Sequence, residues 1–418
     1  MTFYQSTATG HSYPELESNI ECDVCIIGAG FAGLATAAGL VERGITNIVV
    51  LESRQIGYGA SGRNGGFVFG GFSLGNGALI KALGPSTARK LYQLTLDAVE
   101  LIRSRIDKYH IACDKNDSGV LLANWFDDDR ILLLQQEFMQ RQFEVDWALW
   151  SREKTREHLK TDRYFGALHE KNAFHFHPLK YAQGLAAYLV SKGVRLFEQS
   201  AVLRIDSSHP EKIIVTQRGQ VRTPQVVLCC GGYIEKLSPS LSPSVLPVTT
   251  FVMSTEPLGE RMPLSINTSA AVYDTRFAFD YYRPLSDTRL LWGGRISIFN
   301  PEPQQIARKL YRDMLKVYPQ LAGVKVEHAW SGVMSYARHQ MPQIGQLPDG
   351  LWYAMGFGGH GISTTTLAGE VVAAGIADNQ ALPDGLEKFG LPNSYGALGL
   401  FAAQCTYWYF ELRDWWKE

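Results

Sequence analysis

The chain has 418 residues, 45% of them hydrophobic, with 40 Lys plus Arg against 41 Asp plus Glu. That length accommodates two packed domains, and a net charge of −1 argues against a nucleic-acid surface. No run of roughly 18 apolar residues predicts a membrane span, and the N-terminal stretch MTFYQSTATGHSYPELESNIECD lacks the basic and apolar regions of a signal peptide.

The first predicted unit is DVCIIGAGFAGLATAAGLVERGITNIVVLE, residues 23–52. Val24, Cys25, Ile26 and Ile27 form the near-continuous apolar run of a buried parallel strand. Gly28 permits a tight turn, Gly30 lets backbone approach a pyrophosphate, and Gly33 lets the next helix pack closely on the sheet. That helix, Ala32 to Arg43, would aim its N-terminal dipole at the anion before Gly44 stops it. A second strand, Ile48 to Leu51, delivers Glu52, an acid placed to accept hydrogen bonds from an adenosine ribose and to disfavour a 2′-phosphate. The GxGxxG pattern recurs at Gly57 to Gly62 and at Gly356 to Gly361, but only the first copy has strand, helix, second strand and acid in register.

Further along, Ala88 to Tyr109 predicts a helix, Ser118 to Trp125 a strand, and Asp127 to Phe143 a helix of mixed charge exposed on one face. Pro178 to Lys192 is a helix with Pro in its first turn and Gly193 at its end. Strands follow at Val194 to Leu203, Ile213 to Thr216 and Val226 to Leu228, closed by Gly231 and Gly232. A second block carries strands at Thr249 to Ser254, Ala271 to Asp274, Phe277 to Arg283 and Leu290 to Gly294, with a helix at Gln304 to Tyr318. The last α/β piece is strand Leu351 to Ala354, a glycine loop, and helix Ser363 to Ala377. The expected organisation interleaves nucleotide-domain segments at 20–85, 161–245 and 327–390 with substrate-domain segments at 86–160 and 246–326. A helical segment, 391–418, ends the chain.

Six cysteines in a chain this long do not make a disulfide framework. Cys22 and Cys25 enter the first strand without a second pair at zinc spacing, and Cys229 and Cys230 end an apolar run. They read as packed free thiols suited to a reducing cytoplasm, and no metal is expected. His175 and His177 alternate along a predicted strand and read as solvated or hydrogen-bonded histidines.

Three further segments make the pattern specific: YGASGRNGG (58–66), FHPLKYAQGLAAYLVSKGVRLFEQSAVLRI (176–205) and YAMGFGGHGISTTTLAGEVVAAGI (353–376). With GAGFAG they resemble the D-amino-acid-oxidase-type family of FAD-dependent oxidoreductases, most closely its γ-glutamylputrescine oxidase-like amine and amino-acid oxidase branch. The resemblance implies an α/β fold: a Rossmann-like FAD-binding domain of glutathione-reductase type with an inserted α+β, mainly antiparallel-sheet substrate domain. It implies that Gly28, Ala29, Gly30, Phe31, Ala32 and Gly33 hold the diphosphate, and Glu52 with Ser53 and Arg54 the ribose. Gly59, Ala60, Ser61, Gly62, Arg63, Asn64, Gly65 and Gly66 would run past the flavin ring, Val202 would meet adenine, and Gly231 and Gly232 would turn near the diphosphate. Gly358, Gly359, His360, Gly361 and Ile362 would face the flavin pyrimidine, where a helix N-terminus stabilises the negative charge of the reduced ring.

The implied reaction is hydride transfer from a carbon bearing a neutral amine to the flavin, giving an imine that hydrolyses. Dioxygen, or a quinone or carrier, would take the electrons; a flavin-binding sensor or assembly subunit without turnover is the reading of another class. The candidates for catalysis are His360, Tyr281 and Arg283, and those for substrate binding are Tyr282, Trp330, Arg338 and His339. Strand alternation allows Tyr281 and Arg283, or Tyr282 alone, to face the flavin. Three departures from the family are visible. The carboxylate-binding arginine of glycine-oxidase-like members falls near Met334, no cysteine lies in 333–337 to tether the flavin, and the oxygen-activating lysine of sarcosine-oxidase-like members falls near Leu291. Non-covalent FAD is therefore expected. The aromatic C-terminal segment LGLFAAQCTYWYFELRDWWKE is expected to pack on the body as an amphipathic helix, in preference to touching a membrane interface.

Overall fold

A computed structural model describes residues 1–299 and 301–417. Its nucleotide-binding half is a six-stranded sheet in the order Gln343–Gln346, Leu351–Met355, Gln225–Leu228, Val24–Ile27, Ile48–Leu51, Arg195–Phe197. All neighbours are parallel except the first pair. Val24–Ile27 and Ile48–Leu51 are buried throughout, as strands covered on both faces must be. Helices Phe31–Glu42 and Gly361–Asp378 pack against one another on one face, with backbones so close that a Cβ on Gly369 would stand 2.6 Å from Ala35 C. Arg105, on the long helix Pro85–Lys108, is 1% exposed and bridges Glu42 and Glu370, fastening that helix to the other two.

The second half is an eight-stranded sheet in the order Val326–Ala337, Val245–Thr255, Leu290–Ser297, Asp280–Pro284, Ala271–Asp274, Val120–Ala123, Ala167–Glu170, Ala148–Trp150. It is antiparallel except where Ala271–Asp274 meets Val120–Ala123. Helix Pro303–Val317 packs on it around Tyr282, Trp292 and Tyr318. The α/β class, with a Rossmann-like domain and a mainly antiparallel second domain, agrees with the sequence reading.

Several local expectations shift. The twelve residues Val326–Ala337 form an edge of the eight-stranded sheet, although the sequence placed nearly all of them with the last nucleotide-domain segment. The expected strand from Val194 to Leu203 is strand only over Arg195–Phe197. Beyond it Gln199 has φ 51°, and the Glu198 carboxylate accepts from Ile56 N at 2.8 Å and Tyr13 N at 3.1 Å, which turns the chain along the end of the sheet. Phe277 and Ala278 lie outside the strand Asp280–Pro284, because the Asp414 carboxylate accepts both their backbone N–H groups. His175 ends a two-residue strand, and His177 caps helix Pro178–Ser191 by accepting from Lys180 N.

Candidate active site

Between the two sheets runs one cleft of about 1480 Å³, lined from Glu52 at one end to Tyr281 and His360 at the other. That exceeds the roughly 300–1,000 Å³ of a single small-molecule pocket and leaves room for a dinucleotide with a substrate beside it.

The glycines at its first end are spatially obligatory. Gly28 has φ +106°, and a Cβ there would stand 2.6 Å from Cys229 O; a Cβ on Gly30 would stand 2.9 Å from Ser61 Oγ, and one on Gly33 only 1.9 Å from Gly28 O. Helices Phe31–Glu42 and Gly361–Asp378 both start at the cleft without a cap from their own N-cap side chain, which suits an anion or a developing negative charge. The Glu52 carboxylate accepts from Ala29 N and Arg54 N, each at 2.9 Å, so the acid fastens the glycine turn as well as facing the cleft. Burial raises its pKa. Cradle, acid and two helix starts fit an adenine dinucleotide with a flavin.

Residues 63–66 are fixed from behind. Trp330 Nε1 donates to Arg63 O at 2.9 Å, the Tyr4 hydroxyl to Asn64 O at 2.8 Å, and Arg283 Nε to Gly65 O at 2.7 Å. Three successive carbonyls are thus anchored. Arg283 also donates to Phe176 O at 2.9 Å beneath Gly66, whose φ of +81° leaves a Cβ only 2.1 Å from that same oxygen. Opposite, Gly358 N donates to Ser335 O at 2.7 Å, and Ser73 Oγ donates to Phe357 O at 3.1 Å and accepts from His360 N at 3.3 Å.

Tyr281 lies across Gly65 and Gly293, where added Cβ atoms would meet its ring at 2.6 and 2.2 Å. Phe69, Tyr273, Thr250, Met334 and Tyr336 complete the far chamber with His360. The His360 ring meets Phe69 edge-on at 5.1 Å, and burial pushes its pKa down to about 4, so it is neutral at pH 7. Arg276 is paired with Asp274 and Asp280, and Arg295 with Asp313 and Glu411; each of these two arginines meets the cleft already matched by two carboxylates.

Placement of the sequence candidates is therefore mixed. His360, Tyr281 and, at the rim, Arg338 line the cleft, the last exposed with its guanidinium 5.6 Å from the Tyr395 ring centre. Tyr282 does not: it is 0% exposed and stacks on Trp292 at 4.4 Å inside the second domain's core, because alternation sends it to the other face of the strand. Arg283 and Trp330 stand behind the 63–66 loop, not in the chamber, and act as positioning residues. His339 bonds Gly390 O and Met341 N beside Phe389, away from the cleft. Among the expected cofactor contacts, Ala29, Gly33 and Gly62 lie behind the lining: Ala29 N is turned to Glu52, Gly33 packs on Gly28, and Gly62 N donates to Gly57 O. Tyr4, Phe69, Ser73, Tyr273 and Tyr336 escaped the sequence reading, since only chain packing brings them here.

The sequence profile of the FAD dependent oxidoreductase (DAO) family matches residues 23–374. The chain belongs to this family. It is 35% identical to the gamma-glutamylputrescine oxidoreductase of Escherichia coli K12 over 377 residues, 89% of this chain and 88% of that one. It is 34% identical over 400 residues, 94% and 92% of the two chains, to a Haemophilus influenzae protein named "Probable oxidoreductase OrdL". The glycine oxidase of Geobacillus kaustophilus shares the fold, with a TM-score of 0.75, 21% identity and coverage of 89% of this chain and 98% of that one. The protein is thus an FAD-dependent oxidoreductase, as its resemblance implied. Among the described residues, no helix is long and apolar enough to cross a membrane.

Proposed function

We infer that the protein oxidises an amine or amino acid to an imine, which water hydrolyses to a carbonyl compound and ammonia or an amine, with dioxygen reduced to hydrogen peroxide. When bound, FAD supplies the hydride acceptor at its N5. Gly28, Gly30, Phe31, Ala32 and Glu52 would hold the diphosphate and ribose, and Arg63–Gly66 with Gly358–Ile362 would frame the flavin ring. The chain's task is then to hold the amine-bearing carbon at the ring and to keep the nitrogen deprotonated.

The observation that carries the reading is the charge balance of the inner chamber, with Arg338 confined to the rim. Met334, an apolar residue, faces the cleft, and Arg276 and Arg295 are each satisfied by two carboxylates. This favours a substrate held through its amine and an apolar stem over one clamped by a carboxylate beside the reacting carbon. The neutral His360 ring offers a hydrogen-bond acceptor to an amine N–H without opposing charge. Burial raises the Tyr281 pKa, which keeps its hydroxyl protonated and able to donate or accept. The name of the Escherichia coli relative points the same way, to a γ-glutamylated polyamine or a similar ω-amine. The six free cysteines suit a cytoplasmic location.

One observation favours a second acceptor, a quinone or electron carrier: Leu291 is fully buried with Phe3, Tyr4 and Trp330, so no cation reaches the chamber from that position. Steady-state assays of the FAD-loaded protein with γ-glutamylputrescine, other ω-amines, N-alkyl glycines and α-amino acids test both points. An ω-amine with the highest kcat/KM and one peroxide per turnover is expected. An α-amino acid preferred by tenfold or more overturns the amine reading, and turnover only with a quinone or dye overturns dioxygen.

A further inference from the structure

The helix Gly396–Lys417 is amphipathic in the reverse sense. Its buried residues are Gln404, Tyr407 and Asp414; Phe410 and Tyr407 meet the Phe277 ring at 4.2 and 6.4 Å, and polar groups supply the other anchors. Gln404 Oε1 accepts from Ile298 N at 3.0 Å, Asp414 Oδ2 accepts from Phe277 N at 2.8 Å and Ala278 N at 3.0 Å, and Glu411 pairs with Arg295. The solvent face carries Leu398, Phe401, Cys405, Trp408, Leu412 and Trp415, in alternating steps of three and four residues, flanked by Tyr409 and Trp416. At 100° per residue this is a stripe about 120° wide, the spacing of a helix–helix seam. Its large residues are exposed to between 50% for Trp408 and 78% for Leu398.

We propose that this face is the contact between two copies of the chain, paired antiparallel along Gly396–Lys417. Area supports the choice of occupant. Allowing roughly 150–250 Å² per aromatic side chain and less for leucine, the exposed fractions amount to about 900 Å² of apolar surface. The largest patch on an ordinary monomer is about 300–600 Å², whereas each partner of a stable protein pair contributes about 800 Å². Shape supports the orientation. Along the stripe the N-terminal half carries Leu398, Phe401 and the small Cys405, and the C-terminal half Trp408, Leu412 and Trp415, so a two-fold axis near the middle sets Leu398 against Trp415 and Cys405 against Trp408. Charge argues against an anionic membrane: Arg413 and Lys417 are the two cations on this helix, where a surface-binding amphipathic helix is rich in them. The contact also bears on the site. Ala402, Ala403, Thr406 and Tyr407 line the cleft, so pairing would fix the helix that roofs it.

The test is the mass of the FAD-loaded protein by light scattering, with chemical cross-linking. Cys405 is the exposed cysteine of the six and lies near the axis of the pair. A short bis-maleimide should therefore give a covalent dimer from the native protein and none from Cys405→Ser. Trp408→Glu with Trp415→Glu should weaken dimerisation by at least about 100-fold while the far-ultraviolet spectrum and bound flavin stay native. A separate Leu398→Glu variant, at the N-terminal end, should also dissociate. A monomer at all concentrations, or a dimer indifferent to all three changes, overturns the proposal; a monomer that floats with phosphatidylcholine–phosphatidylglycerol vesicles overturns it in favour of a lipid surface. Activity is not the readout, so failure here leaves the proposed reaction standing, and the reverse.

Discussion

Substituting Gly33 by alanine tests the glycine turn most sharply, because two effects of opposite sign compete. Gly33 sits in the first turn of helix Phe31–Glu42, and alanine there gains about 1 kcal/mol of helix propensity. Against this, the new Cβ would stand 1.9 Å from Gly28 O, 3.1 Å from its carbonyl carbon and 3.2 Å from Ile26 Cγ2. The blocking atoms are mainly backbone, and Gly28 is itself held by its N–H to Leu51 O at 2.8 Å. Reaching ordinary contact requires the helix to withdraw by about 1.5 Å in a close-packed interior. Such overpacking costs about 3 kcal/mol or more, so a net loss of about 2 kcal/mol is expected, concentrated where the cofactor binds. With the strain borne by the FAD-loaded form, the variant should bind FAD about 30-fold more weakly, read by titrating apoprotein with flavin, and the loaded form should melt roughly 2 °C lower. Gly44→Ala is the control. It has φ +86° but nothing within 4 Å, so backbone strain costs about 1 kcal/mol and the flavin stays bound. If Gly33→Ala holds FAD with native affinity and melts as the native protein does, the close approach of helix to turn does not shape the site.

Three other outcomes follow from the geometry. Glu170, buried beside Tyr92 and Tyr273, has its pKa pushed up to about 7 from 4.5 by burial; the folded state therefore holds the extra proton, and stability falls as pH rises from about 4.5 to 7. Glu170→Gln should abolish up to about 3 kcal/mol of that fall, seen in denaturant midpoints at pH 5 and 8; identical pH slopes in the two proteins would sink the assignment. His175 and His177, lowered by burial to about 3 from 6.5, act oppositely, losing stability as pH drops below 6.5, and do so equally in both proteins. Tyr281→Phe should lower kcat/KM about 10- to 100-fold at unchanged FAD affinity, the cost of one hydrogen bond in a desolvated chamber; a change under twofold would place the substrate elsewhere. Asp414→Ala, which strips two backbone N–H groups of their acceptor, should raise KM more than it lowers kcat by loosening the helix over the cleft, and unchanged KM would mean that this helix does not bound the substrate.

The βαβ unit was legible because every signal in it is local: an apolar run, a glycine turn, a helix and an acid within thirty residues. What escaped depends on packing between distant segments. Alternation shows that Tyr281 and Tyr282 face opposite ways, but only the sheet's position decides that Tyr281 meets Gly65 while Tyr282 enters the core. Strand Val326–Ala337 hid because its half-buried pattern, with Gly332 at its centre, lacks the continuous apolar run of the nucleotide-domain strands. Trp330 reads from the sequence as a substrate-binding residue, yet its partner is a loop carbonyl at residue 63, and Tyr4 reaches Asn64 O across sixty positions of sequence. The aromatic C-terminal segment was readable as an amphipathic helix; that its polar face turns inward could be learned only from Ile298 N and the Phe277–Ala278 turn that it satisfies.

The most direct test of the proposed reaction is anaerobic mixing of the FAD-loaded protein with the amine panel, followed by air, while watching the flavin absorbance that the cofactor brings. Bleaching by an ω-amine, with recovery and peroxide on admitting air, is the predicted result. A flavin that no amine or amino acid bleaches would contradict the account.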